Sequence, residues 1–424
     1  MIEVRLREWE TASPEEGSAL AGRRLDGVVE RRWADELARA RRLTLEELAA
    51  GLRVTSTSFV GRVQLGSVVV TIEPKLAREP LLALVRYAYG LRDVVREGST
   101  SFATTGALLP DLLAAQLLAE VTELVARGLP RRYVEREDEL SFPRGRIDVA
   151  ALARRATPRM TLPCRHHPRS ADHPLLQVVK AGVELAAEIT SDQPLRVALR
   201  RLADRIGLEV EAVPLTHARL LQVRRGLTRL EAAAAPALEL VELLLDGQAL
   251  TLDDETTVRL PGFLFDMNRF FQALVGRWLR EHLPDCDVLE EHGLTGLLRY
   301  APDANPRARS APAPRPDFAV TRKDQKVVLL DAKYRDLWER SLPREMLYQL
   351  AMYATSGAGE GVAVILYPTE DEHAREARVD IRDVVTGSAR GGVALRPVVL
   401  PRLAELIEAA PDVRSAEARR LAFG

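Results

Sequence analysis

The sequence predicts a multidomain α/β chain: a small β-containing N-terminal domain over 1–108, a mostly α middle region over 109–260, and a C-terminal α/β domain over 261–424 with element order αβββαβ. Three observations carry this reading. The chain has 424 residues, too many for one ordinary core. Residues 53–72 are dense in β-branched side chains, whereas 110–128, 174–189 and 194–206 have helical apolar spacing. From 266 to 367 an amphipathic helix, strand-like runs, a second helix and an apolar strand follow one another.

Composition narrows the function classes. Hydrophobic residues make up 46% and charged residues 29%, with no apolar run long enough to span a bilayer, so a cytoplasmic protein is expected. Cys164 and Cys286 are the only cysteines, which excludes a disulfide framework or a four-thiolate cluster. The formal net charge is −1, so nucleic acid would have to be met by a local groove. Of the 60 lysines and arginines only five are lysines, and three of these, Lys323, Lys326 and Lys333, fall within eleven residues. A compact ammonium is thus concentrated where arginine would be the default.

At the N-terminus, "RVTSTSFVGRVQLG" and "SVVVTI" read as strands around a turn at Leu65-Gly66-Ser67. "EPLLALVRYAYGL" (79–91) reads as a helix stopping at Gly90. A Leu- and Ala-rich helix around 229–245 and a short strand segment at 249–259, ending in Pro261-Gly262, close the middle region. In "DMNRFFQALVGRWL", Met267, Phe270, Phe271, Leu274, Val275 and Trp278 share one helical face, and Asp266 is placed to cap the helix. A strand at 287–290 and the Pro-rich stretch 301–316, read as an extended loop, lead to a hairpin: "PDFAV" and "KVVLLDAKY" flank the polar turn "TRKDQ". The helix "PREMLYQLAMYA" (343–354) and the strand "GVAVILY" (361–367) complete the order.

The hairpin concentrates the chemistry. Side chains alternate along a strand, so Asp331 and Lys333 project from one face, and pairing across the hairpin brings Asp317 beside Asp331. Two carboxylates that close repel unless a cation lies between them. Mg²⁺, with Mn²⁺ as the alternative, suits a site of two carboxylates, the Ala332 carbonyl and a phosphate oxygen. Lys333 would orient water or stabilise charge on a phosphoryl group. Glu345, Gln349 and Tyr353 share a flank of the following helix beside Met346 and Leu350, which lets Gln349 reach the site.

Pro316-Asp317, thirteen residues, then Asp331-Ala332-Lys333, set in that element order, resemble the PD-(D/E)XK nuclease signature. "VTIEPKL" with "LLALVRYAYGL", "FPRGRIDV" (142–149), "FLFDMNRFF" (263–271) and the segment from "RPDFAV" through "LLDAKYRD" to "MLYQLAMYA" resemble the McrC family of 5-methylcytosine-directed restriction systems. The resemblance implies a Mg²⁺-dependent endodeoxyribonuclease with a PD-(D/E)XK core. Asp317, Asp331, Lys333 and Gln349 would be catalytic, and Asp317, Asp331 and Ala332 would hold the metal. It also implies an AAA+ GTPase partner of McrB type and double-stranded DNA, modified or not, as substrate. Two departures stand out: Gln272 where the family has an acid after the Phe pair, and "ADHPLLQ" (171–177) in place of an Asn-containing segment.

No G-x-x-x-x-G-K-[ST] run is present, which favours a separate nucleotide-hydrolysing partner. Arg62 and Lys75 are the first candidates for partner contact, against a role as strand-edge charges. Cys164, His166, His167 and His173 cluster, but without paired metal-ligand spacing, and they read as a loop rather than a zinc site. Two alternatives remain: a ring activator and scaffold whose nuclease site has decayed, motivated by Gln272, and a stand-alone nuclease of the same fold.

Overall fold

The computed structural model describes residues 1–91, 109–154, 157, 159–248, 251–252, 258–259, 262–301, 303–322, 327–357 and 361–424. The turn lysines Lys323 and Lys326, and Pro261, lie outside them. The chain forms two compact units: Met1–Val60 and Gly66–Arg92 with Asp266–Gly424, and Gly61–Leu65 with Asp93–Phe265. Among the described residues no helix is long and apolar enough to cross a membrane.

The second unit is mainly helical. Leu109–Ala126, Pro174–Ile189, Gln193–Gly207 and Ala235–Gly247 present apolar faces to one another, and Asp192 caps the third through the Leu195 amide at 2.8 Å. A three-stranded antiparallel sheet of Arg136–Leu140, Leu162–His166 and Arg146–Ile147 is added to them. Arg136–Leu140 and Arg146–Ile147 carry mostly exposed, charged side chains, so they lack the apolar alternation that would have announced them. Arg62 is exposed on the segment Gly61–Leu65. There a Cβ on Gly61 would stand 2.1 Å from the Phe263 carbonyl, so the close backbone approach requires glycine.

In the first unit the strand Ile2–Arg7 runs parallel to Val68–Glu73, and Leu43–Leu48 pairs antiparallel with Gly51–Ser56. The run read as one strand over 53–66 is two, Gly51–Ser56 and Phe59–Leu65. The helix Arg78–Tyr89 ends at Gly90, whose φ of 67° is the left-handed conformation that closes a helix at little steric cost.

The C-terminal part of this unit runs α1 (Met267–His282), β1 (Cys286–Glu290), β2 (Phe318–Arg322), β3 (Val327–Ala332), α2 (Arg344–Ala354), β4 (Val362–Thr369), β5 (Ala377–Arg382) and β6 (Ala389–Val399). The order αβββαβ is therefore present, continued by two further strands. The six strands form one sheet in the order β1-β2-β3-β4-β6-β5, antiparallel from β1 to β3, parallel from β3 through β4 to β6, and antiparallel at β5. Ala319, Leu329, Ala363 and Ile365 share a buried cluster with Leu350 and Tyr353 of α2. Alternation sends Phe318 and Leu330 to the opposite face.

α1 starts as read: Asp266 accepts from the Asn268 amide at 2.9 Å, and Met267, Phe270, Phe271, Leu274, Val275 and Trp278 are all fully buried. Gly276 lets α1 approach the sheet closely, because a Cβ there would lie 2.8 Å from the Phe318 ring and 2.6 Å from Glu290 Oε1. Alanine ordinarily stabilises a helix interior by up to about 1 kcal/mol over glycine. Here the clash with a fully buried ring opposes that gain, so Gly276→Ala is expected to destabilise the chain by about 1–2 kcal/mol. Denaturant unfolding followed by tryptophan fluorescence checks this; an unchanged or raised midpoint would show that the helix has room to spare.

Candidate active site

The site is assembled by strand register. Phe318 of β2 stands opposite Leu330 of β3, so Asp317, one residue earlier, comes level with Asp331. The Glu291 amide donates to the Asp317 carbonyl at 3.0 Å and fixes that end of the hairpin. On the far side Ala332 pairs with Leu366 of β4, and the Lys333 amide donates to the Leu366 carbonyl at 3.0 Å. Alternation is thus maintained as far as Lys333, which emerges on the same face as Asp331.

The side chains close the arrangement. Asp317 Oδ2 accepts from the Ala332 amide at 2.8 Å and from Lys333 Nζ at 3.3 Å. Lys333 Nζ also stands 3.0 Å from Asp331 Oδ2. Exposure is graded: the side chain of Lys333 is 28% exposed, that of Asp317 17% and that of Asp331 2%. Solvent therefore reaches the group from the lysine and Asp317 side, with Asp331 at its floor.

Burial, reinforced by the negative charge of Asp317 and opposed by Lys333, pushes the Asp331 carboxyl up to about 6. For Lys333, burial disfavours the ammonium, but the charges of Asp331 and Asp317 outweigh it and hold the pKa above the ordinary lysine value. Asp331 Oδ1 is buried and has no hydrogen-bond partner. A partnerless buried carboxylate oxygen is costly unless something fills it, and a second carboxylate beside it selects a cation. These residues therefore fit a hard divalent ion. Among the described residues no three His, Cys, Asp or Glu side chains gather as a metal site, so an ion here would draw its other ligands from backbone and water.

Gln349 is half-buried on α2 and donates from Nε2 to the Tyr353 hydroxyl at 2.7 Å. Burial raises the Tyr353 pKa against that hydrogen bond, and the charges of Asp331 and Asp317 raise it further, so this flank of α2 lies within the electrostatic reach of the acids. Glu345 is exposed, and Gln272 is half-buried on α1. Lys75 is engaged within the chain, 3.4 Å from Glu339 Oε2. Of the histidine cluster, His166 Nε2 lies 2.8 Å from Asp138 Oδ2, His173 Nε2 lies 2.9 Å from the Pro130 carbonyl, and Cys164 is buried.

One neighbouring feature escaped the sequence reading. Tyr334, immediately after Lys333, donates its hydroxyl to Glu8 at 3.1 and 3.2 Å, with both residues buried. The tyrosine sits inside a motif already singled out, but nothing in the local pattern of Glu8 points 326 positions along the chain.

The profile of the McrBC 5-methylcytosine restriction system component family matches residues 54–368. No curated protein matches. Among solved structures, a chain from a refined half-complex of a tetradecameric assembly of Thermococcus gammatolerans McrB AAA+ hexamers with bound McrC is similar at 19% identity and a TM-score of 0.60, over 98% of this chain and 99% of that one. A chain from the cryo-EM structure of the Thermococcus gammatolerans McrBC complex, 18% identical, covers 66% of this chain and 88% of that one with a TM-score of 0.44. With its profile matched over most of its length, the chain belongs to the McrBC 5-methylcytosine restriction system component family.

Proposed function

We propose that the chain is the nuclease subunit of a McrBC-type restriction complex, an endodeoxyribonuclease with a PD-(D/E)XK core that cuts double-stranded DNA. The observation that carries this reading is the convergence of Asp317, Asp331 and Lys333 at the end of one hairpin, with a buried carboxylate oxygen left partnerless. Asp317, Asp331 and the Ala332 carbonyl would hold Mg²⁺ or Mn²⁺. When bound, such an ion supplies charge neutralisation at the phosphoryl oxygen and acidifies water beside it.

The chain's own groups do the rest. Lys333, whose pKa stands above the ordinary lysine value, remains an ammonium at neutral pH. It is placed to donate to a phosphate oxygen or to the attacking water. Asp317, tied to the Ala332 amide, keeps that donor over the acid pair. Gln349, oriented by the Tyr353 hydroxyl, supplies a neutral amide on the α2 side for water or DNA.

A McrB-type AAA+ GTPase is the proposed partner and the cytoplasm the proposed setting. Family membership and the architecture shared with a chain of a McrB–McrC assembly support this. Arg62, exposed on its strand segment, remains the first position for partner contact; Lys75 has an ionic partner within the chain. A second reading, a ring activator with a weakened site, is favoured by Gln272, because an amide cannot replace a carboxylate's charge.

Cleavage of methylated linear DNA by the chain with its GTPase, GTP and Mg²⁺ separates the two readings. Lys333→Ala and Asp331→Ala are each expected to lower cleavage by about 100-fold or more while GTP hydrolysis stays stimulated. Undiminished cutting by both variants removes the nuclease assignment; stimulated hydrolysis without cutting by the unaltered chain selects the activator.

Protonation of Asp331 gives a test that needs neither DNA nor partner. Folding raises its pKa from 3.8 to about 6, so the folded chain holds the proton more tightly than the unfolded one. This contribution to stability is complete below 3.8 and is lost as pH rises through about 6. Asparagine imitates the neutral form. In a chelator-treated sample, Asp331→Asn is therefore expected to melt several degrees above the unaltered chain at pH 8 and level with it at pH 4. Equal midpoints at both pH values would show that the carboxylate is not held against its charge.

A further inference from the structure

Glu8 is a carboxylate that the chemistry above does not use, yet it is only 1% exposed. It follows the strand Ile2–Arg7, and both of its oxygens accept from the Tyr334 hydroxyl. The next residue, Trp9, has φ 62°, a conformation that a bulky side chain adopts only when its surroundings impose it. The Trp9 amide donates to the Thr57 carbonyl at 3.2 Å, and the Arg335 guanidinium lies 5.9 Å from its ring centre. Arg340 donates to the Trp9 carbonyl at 3.4 Å. The end of the first strand is thus bound repeatedly to the segment that follows Lys333.

On its other side that segment is held further along, where the Thr369 hydroxyl donates to Asp336 at 3.0 Å and the Trp338 indole donates to Asp371 at 2.8 Å. After β3 ends, the Arg335 amide donates back to the Lys333 carbonyl at 2.8 Å, making a tight reversal that turns Lys333 and Tyr334 apart. Lys333 points to the acid pair, while the Tyr334 ring packs edge-on against Phe271 with 6.1 Å between ring centres. Its hydroxyl, the one polar atom at the tip of that ring, is fixed by Glu8. A buried carboxylate at this place gives less stability than an apolar pair of the same size would. Its use is directional: two acceptor oxygens define where the tyrosine hydroxyl stands, and the tyrosine fixes the chain just beyond Lys333, whose amide is held by the Leu366 carbonyl on the near side.

We propose that Glu8 and Tyr334 are positioning residues for Lys333, so that the N-terminal strand is a working part of the active site rather than a separate attachment. This rests on the nuclease reading only in calling Lys333 catalytic; the placement of Lys333 by the pair is a property of the fold. Burial also pushes the Glu8 carboxyl up to about 7, against the pull of Tyr334 and Lys75, as suits an acid enclosed for its geometry.

Tyr334→Phe keeps the ring and removes the hydroxyl. Glu8→Gln keeps an oxygen that accepts from it, and Glu8→Ala keeps none. The chain has five lysines, so reductive ¹³C-methylation gives a short set of dimethyl-lysine NMR signals in which Lys333→Arg identifies that of Lys333. In Tyr334→Phe and Glu8→Ala the Lys333 signal is expected to shift or broaden, and kcat for DNA cleavage with the GTPase to fall by about 10- to 100-fold at little-changed KM. Glu8→Gln is expected to restore both. An unmoved Lys333 signal in Tyr334→Phe, or Glu8→Gln behaving as Glu8→Ala, overturns the proposal. If the unaltered chain does not cut DNA, the nuclease reading fails by itself, and the Lys333 signal still decides whether the pair positions that side chain.

Discussion

Two carboxylates and one ammonium share a small volume at the end of a hairpin, and the charge there does not cancel. Lys333 neutralises one of the two acids, so the site retains a negative charge in a place where Asp331 is almost wholly shut off from water. A fold selected for stability alone would replace such a group by a hydrogen-bonded neutral pair or an apolar one. The register of β2 on β3, the burial of α1 against Phe318 and the parallel pairing of β3 with β4 all serve to maintain it. Those features also leave one buried carboxylate oxygen, Asp331 Oδ1, without a hydrogen-bond partner.

How much of this could be read from residues alone depended on distance along the chain. Alternation in "KVVLLDAKY" fixes the facing of Asp331 and Lys333, and a short hairpin brings Asp317 level with them, because each step uses only local rules. The apolar face of α1 and its Asp266 cap were legible for the same reason. Periodicity does not reveal strands made of charged residues: "REDEL" (136–140) forms one, yet its side chains are largely exposed and carry no alternation. The opening strand Ile2–Arg7 was likewise not anticipated. Glu8 illustrates the limit best, since a lone glutamate near the N-terminus reads as a solvated charge until the fold places a tyrosine hydroxyl 3.1 Å away.

The same contrast bears on how the chain is organised. Composition suggested an N-terminal domain apart from the C-terminal one, a natural reading when the stretch between them is long and helical. By contact, the first 60 residues share a compact unit with Asp266–Gly424. Buried polar contacts such as Glu8 with Tyr334 leave no compositional trace, because each member alone looks ordinary. Those hydrogen bonds hold the end of the N-terminal strand to the segment that follows Lys333.

A divalent ion at the acid pair would bind Asp317 and Asp331 directly, and measurement of ion binding tests this most plainly. Mn²⁺ titrated into the purified, chelator-treated chain and followed by electron paramagnetic resonance is expected to reveal a bound ion that is lost in both Asp317→Asn and Asp331→Asn and kept in Lys333→Ala. Binding that is unchanged in both asparagine variants would contradict the account.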